Sequence, residues 1–492
     1  MNPRKKVIVI GSGFASLSAA CFLAKAGLEV LVIEKNQGPG GRAQQWKKDG
    51  FSFDMGPSFY WMPDVFEHFF NQFGKKVSDY YELVRLDPSY RIYWEQGYTN
   101  LPANYEKLKE TFEEIEKGSS IQLDKYLTEA LYKYEVGINK LVYKPGLSIT
   151  EFLDYPTISG VFKLQVFTNI SKHIAGYFKD KRLRQLMEFP VLFLGALPEK
   201  TPALYSLMNY ADIKGGTWSP IGGMYAVVEG MHKLALELGV QFLFNEAVSS
   251  INITDGIAKS VQTDKSIYNC DAVVSGADYN FTEQQLLPSQ YRVYSKEYWD
   301  KRVMAPSCLM YYVGLNKKLK DVVHHSLFFD TSFEVHGKEI YQDPAWPSNP
   351  LFYVSIPSLT DSTVSPEGHE NIVFLIPIAS GLSNDSTELR EKYFQQIVKR
   401  FENRIGETIT DAIVVKKMYS VSEFVSDYNS FKGNAYGLAN TLLQTAILRP
   451  SCVSKKVKNL FYTGQLTVPG PGVPPSLISG EVVAKELVKR IR

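Results

Sequence analysis

The 492 residues suffice for two or so domains. Basic and acidic residues nearly balance, 54 against 52, so the formal charge of +2 leaves no global field to draw in nucleic acid, and that class of partner is excluded. Hydrophobic content of 45% is that of a globular protein, and aromatics at 13% point to large cores or to a pocket for a long apolar ligand. The longest apolar runs, Phe189–Pro198 and Ile372–Leu382, fall short of the ~20 residues that a membrane span needs.

The segment Lys6 to Glu34 predicts a βαβ unit. Val7–Ile10 has the β-branched content of a buried parallel strand. The turn Gly11-Ser12-Gly13 follows, then an Ala/Leu-rich helix, Ser16 to Ala26, capped by Gly27. A second apolar strand, Glu29–Ile33, ends in Glu34. Gly11 makes the tight turn, Gly13 lets the backbone approach a pyrophosphate, and amides at the helix start hold that anion. The Glu34 carboxylate accepts hydrogen bonds from a ribose diol and repels a 2′-phosphate, which disfavours NADP. Ser16 stands where the fingerprint has its third glycine. Phe14, Ala15 and Lys35 beside these positions complete the candidate contacts at this end. The first strand begins so close to Met1 that it leaves no room for a signal peptide.

Next comes Gly38-Pro39-Gly40-Gly41-Arg42, a loop able to lie over a dinucleotide with Arg42 on a phosphate. Gly50–Ser58 reads as a short strand ending in a rigid turn at Gly56-Pro57-Ser58. The aromatic run Phe59–Pro63 is either a satellite core or the wall of an apolar tunnel. Residues 64–150 read mainly as helix and irregular structure, broken at Pro145-Gly146. The stretch Ile158–Phe178 carries a broad apolar stripe, from Val161 and Phe162 to Ile174 and Phe178, with Lys163, Lys172 and His173 and no acid. Such a basic amphipathic helix either packs on a core or lies in a membrane interface.

A second ordered block opens at Gly222-Gly223 with a helix from Tyr225 to Leu238. Strand candidates Val240–Asn245, Ala247–Ile253, Ile257–Thr263 and Ala272–Val274 follow, with Val248 placed to read an adenine edge. Residues 295–440 form a mixed region with strands Cys308–Leu315, Leu351–Ile356 and Ile372–Ile378 and a helix Leu389–Ile405. The histidines and the four cysteines are scattered without metal-ligand spacing, so no metal site is expected and the thiols suit a reduced compartment. The C-terminus has a strand, Val457–Tyr462, and a Gly/Pro loop carrying Gly464, Gly472, Val473 and Pro474. A helix, Leu477 to Lys489, follows. A rigid loop with free amides before a helix suits a second anion or the polar edge of a flavin.

Gly11-x-Gly13 with Glu34, Gly40-Gly41-Arg42, Asp54-x-Gly56-Pro57-Ser58, the Gly222-Gly223 loop and the tail Asn459–Gly480 together resemble a bacterial-type phytoene desaturase. The resemblance covers essentially the whole chain and departs from the family's tail at Gln465, Leu466, Val468 and Pro471. It implies an α/β Rossmann-type FAD-binding domain, discontinuous in sequence, with a mixed α+β substrate domain and a helical, membrane-associating region. The expected division is 1–100, 215–294 and 441–492 for the FAD domain, 101–214 for the helical region and 295–440 for the substrate domain. It implies FAD as cofactor, with contacts at Gly11, Gly13, Phe14, Ala15, Glu34, Lys35, Gly41, Arg42, Gly56, Pro57, Ser58, Val248, Gly464, Gly472, Val473 and Pro474. It implies a membrane-dissolved C40 polyene as substrate and a cytoplasmic enzyme peripheral on the inner face of the membrane. The reaction would be hydride loss to the flavin with proton loss from the neighbouring carbon, and no catalytic side chain is identified. Two other readings share the plan: a flavin amine oxidase or desaturase of a later carotenoid, and an escort protein for prenylated GTPases that binds lipid without flavin chemistry.

Overall fold

The computed structural model describes residues 4–152, 163–192 and 195–491. Strand β1, Lys6–Ile10, is buried on both faces, as its Val-Ile-Val-Ile sequence requires. Gly11 turns the chain at φ +87° into helix α1, Phe14–Lys25, and strand β2, Glu29–Ile33, returns beside β1. The chain rejoins this unit with α2, Met224–Glu237, β3, Gln241–Leu243, and β4, Ala272–Ser275. It leaves to form β5, Ser307–Leu315, β6, His325–Phe329, β7, Phe352–Ser355, β8, Glu370–Ile378, and α3, Thr387–Ile405. It comes back a last time as β9, Leu460–Tyr462, and α4, Val473–Ile491.

The first sheet is parallel throughout, in the order β9-β4-β1-β2-β3. Its carboxyl ends therefore share one edge, where ligands bind in doubly wound folds. Helix α1 is buried along Phe14 to Leu23, which explains its small residues. Helix α4 lies flat on it at Gly480, and the Ser18 hydroxyl donates to the Leu477 carbonyl at 2.7 Å.

The second sheet has seven strands: Ile413–Tyr419, β5, β8, β7, β6, Tyr90–Trp94 and Tyr98–Leu101. Alternating side chains give it two faces. Phe328, Phe352 and Phe374 pack under α3 against Phe394 and Phe401. Leu327, Tyr353, Leu375 and Pro377 face the other way, into a cavity.

Three expectations are corrected. Residues 90–100, expected in the first segment of the FAD domain, and Leu101 after them form the edge of the second sheet, with Arg91–Trp94 paired parallel to Ser326–Phe329. Residues 64–150 therefore contain strands as well as helices. Helix α4 starts at Val473, not Leu477, because prolines in a first turn lack only amides that have no helical partner. The single amphipathic helix expected over Ile158–Phe178 is broken: among the described residues Lys163 and Leu164 are helical, a turn follows, and a separate six-residue helix spans Ile170–Ala175. Leu164, Ile170, Ile174 and Phe178 are buried, the last three in the core with Phe112 and Tyr126, whereas Phe167 is exposed, so the stripe divides between protein and surface. Residues 158–162 of this stretch lie outside the described residues.

Candidate active site

A cavity of about 570 Å³ opens at the carboxyl edge of the first sheet. Gly11, Gly13, Phe14, Ala15, Glu34 and Lys35 line one end of it. Gly41, Arg42, Gly56 and Pro57 line its side, Val248 lines it beside the Glu34 end, where Glu246 N donates to the Glu34 carbonyl at 3.0 Å, and Gly464, Gly472 and Val473 form the wall supplied by the tail. Ser58 and Pro474 do not reach this space; they line an adjoining cavity. Thr463 and Gln465, within the tail motif but not chosen as contacts, and Asp278, Cys308, Met310 and Tyr436, which no chosen motif marks, also line the main cavity.

The nucleotide end is built from backbone. Gly13 caps α1 with no side-chain hydrogen bond, and the first turn has no acid, so its amides and dipole face the cavity uncompensated. Gly13 and Gly41 touch: a Cβ on Gly41, itself at φ +54°, would lie 3.1 Å from the Gly13 Cα. Glu34 is buried and ordered, with one carboxylate oxygen accepting from the Ser12 amide and hydroxyl, both at 2.8 Å, and the other from the Asn36 amide at 2.9 Å. Two carboxylate oxygens retain lone pairs for a diol. Ser16 is accommodated because Gly276 stands opposite and has no side chain to meet its hydroxyl.

Arg42 is held across the cavity. Its Nη2 donates to Ser430 Oγ at 2.9 Å, its plane lies over Tyr428, and its Nε is buried without a partner. Burial lowers the Arg42 pKa, and the Asp278 carboxylate opposes that; burial likewise raises Asp278 against the pull of Arg42. An uncompensated helix start, a glycine cradle, an ordered acid at the strand end and an orphaned guanidinium donor fit a dinucleotide whose pyrophosphate sits on α1.

The adjoining cavity, about 250 Å³, shares Gly56, Pro57, Leu375, Tyr436, Gly472 and Val473 with the first. Phe59, Trp61 and Phe189 roof it, and the sheet residues Leu327, Tyr353 and Leu375 floor it. No Asp, Glu, Lys or Arg lines it among the described residues. The aromatic run is thus divided: Phe59, Trp61 and Met62 wall the cavity, whereas Tyr60 stacks on Phe66 in the core beneath α1. His336, on the cavity wall, has both nitrogens engaged, Nε2 with the Pro377 carbonyl at 2.8 Å and Nδ1 with the Leu351 amide at 3.0 Å. Among the described residues no cluster of His, Cys, Asp and Glu is arranged to hold a metal.

The model of the flavin containing amine oxidoreductase family matches residues 14–488. A carotenoid 3,4-desaturase of Haloarcula japonica is 40% identical over 489 residues, 99% of this chain and 98% of that protein. A zeta-carotene-forming phytoene desaturase of Myxococcus xanthus is 28% identical over 491 residues, 98% of this chain and 94% of that protein. Among solved structures, an oxidoreductase from Methanosarcina mazei superposes with a TM-score of 0.64 at 15% identity, over 98% of this chain and 100% of that one.

Proposed function

Since the chain belongs to the flavin containing amine oxidoreductase family, among its carotenoid desaturases, and uses FAD, we propose that it desaturates phytoene toward lycopene. The observation that carries this reading is the charge-free aromatic cavity opening directly off the dinucleotide cavity. A polyene has no group to offset burying a carboxylate or ammonium, and none lines the cavity among the described residues; an amine substrate would need one.

Bound FAD supplies a two-electron oxidant that accepts hydride from carbon. The chain's own residues do the rest. The Gly13 and Gly41 backbones, Glu34 and Arg42 hold the dinucleotide along the first cavity. Gly56-Pro57 and Gly472-Val473, common to both cavities, would hold the cofactor where the two spaces meet. Phe59, Trp61, Phe189 and Leu375 hold the chain in line and keep water from the cation that hydride loss leaves behind.

A second reading is 3,4-desaturation of a later acyclic carotenoid, favoured by the 40% identity with the Haloarcula protein. Expression in cells that accumulate phytoene separates the two. We expect coloured extract and a purified protein with a flavin spectrum. Colourless extract from flavin-bearing protein would overturn phytoene as the substrate, and supplying lycopene or a 1-hydroxylated carotenoid then tests the second reading.

We further propose that the enzyme works on the cytoplasmic membrane surface. Among the described residues no helix is long and apolar enough to cross a membrane. An exposed apolar patch supports a peripheral attachment: Phe167 is 81% exposed and Leu443 75%, with Leu442, Leu448, Leu147 and Ile149 also exposed. The loops carrying them adjoin, since Gly146 packs on Ala446, Ala203 N donates to Thr168 O at 2.7 Å, and Tyr205 Oη lies 3.3 Å from Thr445 Oγ1. The double variant Phe167→Asp/Leu443→Asp should bind phospholipid vesicles about tenfold or more weakly, given ~2 kcal/mol per large apolar side chain buried. Unchanged co-sedimentation would sink the attachment surface.

A further inference from the structure

Desaturation removes a proton as well as a hydride, and the apolar cavity excludes the water that would take it. Apart from the hydroxyls of Ser58, Tyr341, Tyr353 and Tyr436, the described residues lining that cavity offer few acceptors: no carboxylate is present, and both His336 nitrogens are spent on backbone. Tyr353 differs. Its Oη lies 2.6 Å from Nδ1 of His325, a fully buried imidazole whose Nε2 has no partner. The His325 ring is clamped by Phe59, stacked at 4.2 Å and 22°, which fixes the ring plane toward the tyrosine. Tyr353 pairs across the sheet with Leu375, which lines both cavities, so it stands one strand spacing, ~4.8 Å, from their junction.

We propose that Tyr353 and His325 form the proton acceptor of the reaction; the proposal rests on the desaturase reading above. Once hydride has left one carbon, the C–H bond of its neighbour breaks and its electron pair becomes the new double bond. The released proton bonds to Tyr353 Oη as the tyrosine's own proton passes to His325 Nδ1. The tyrosine is neutral before and after, and the charge ends on the imidazole. Burial, with a smaller contribution from His324, holds the His325 pKa far below its ordinary value, so the ring starts neutral, and in the tautomer with its proton on Nε2 the Nδ1 lone pair accepts from Tyr353. That weak basicity suffices, because a carbocation is a far stronger acid than an imidazolium. His324, its ring 4.3 Å away and its Nδ1 bonded to the half-buried Thr360 Oγ1 at 2.8 Å, lies on the side through which the proton returns to solvent.

The test uses the flavin-loaded enzyme with phytoene or lycopene, whichever the wild type converts, unlabelled and deuterated at the carbon that loses the proton. Tyr353→Phe removes one oxygen and keeps the ring, and His325→Gln removes the acceptor imidazole. Each should lower kcat about 100-fold while KM stays within about threefold, and the double variant should be no slower than either single one. Deuterium at the proton-losing carbon should slow Tyr353→Phe more than it slows the wild type, an effect that a structural defect would not produce. If His325→Gln fails to fold, Tyr353→Phe carries the test alone, its flavin spectrum reporting the intact site. Turnover of Tyr353→Phe within about threefold of an active wild type, or a slow variant with no added isotope effect, overturns the dyad alone. A flavin-loaded wild type that converts neither carotenoid overturns the desaturase reading and the dyad with it.

Discussion

Gly480→Val should yield protein that retains no flavin after desalting and melts well below the wild type. Gly480 lies where α4 crosses α1, and any Cβ there would sit 2.6 Å from Ala19 N and from Ser18 Cβ, and closer still to the Ala15 carbonyl. Two of these are backbone atoms of a helix buried on every side, so neither can step aside. Overpacking of a tight core by one methyl costs ~1–3 kcal/mol, which is the expectation for Gly480→Ala. Valine adds two more methyls, and relief requires moving α4 off α1. Because the Val473 end of α4 lines the dinucleotide cavity, the shift removes a wall of the site as well as part of the core. A valine variant with wild-type melting and full flavin content would refute this packing argument.

The second large effect is expected at Glu34→Ala. The carboxylate accepts from three donors, the Ser12 amide and hydroxyl and the Asn36 amide, before any ligand arrives. Losing it strands buried donors at ~1–3 kcal/mol each and releases the Gly11–Gly13 turn from the end of β2. It also removes the acceptor for a ribose diol. FAD affinity should fall about 100-fold or more, read by flavin fluorescence on titrating stripped protein. Glu34→Gln keeps acceptor capacity on one oxygen and should lie between alanine and the wild type. Equal affinity in Glu34→Ala would remove this residue from the site.

The dinucleotide half was legible because its determinants are local. A β-branched run, two glycines that must take positive or crowded backbone conformations, and an acid at a strand end can all be read within one short segment. The tail was legible for the same reason, although its prolines disguised the first turn of α4. The second sheet was not. Tyr90–Trp94 pairs with β6 from more than two hundred residues away, and Arg91 breaks its apolar pattern. Its guanidinium is satisfied by Asn100, by Tyr93 Oη and by the Asp321 carbonyl, partners that no local pattern announces. His325 and Tyr353 were invisible likewise: each is an ordinary strand residue until the register, which pairs His325 with Ser355 and Leu327 with Tyr353, sets the two diagonally across neighbouring strands. Ser58 was placed on the dinucleotide by its motif, yet the chain turns at Gly56-Pro57 and sends it into the apolar cavity.

The order of the first sheet, β9-β4-β1-β2-β3, sets a timetable for biosynthesis. At translation speeds of ~5–20 residues per second, β1 and α1 wait roughly 25–100 s for β9 and α4. During that interval α1 has no Gly480 to cover it, and the cavity lacks the wall formed by Gly464, Gly472 and Val473. FAD therefore cannot template the early steps of folding. A nascent chain must be kept from aggregating through its bare α1 face by other means, and a ribosome that stalls before the last twenty residues releases a product unable to capture the vitamin-derived cofactor.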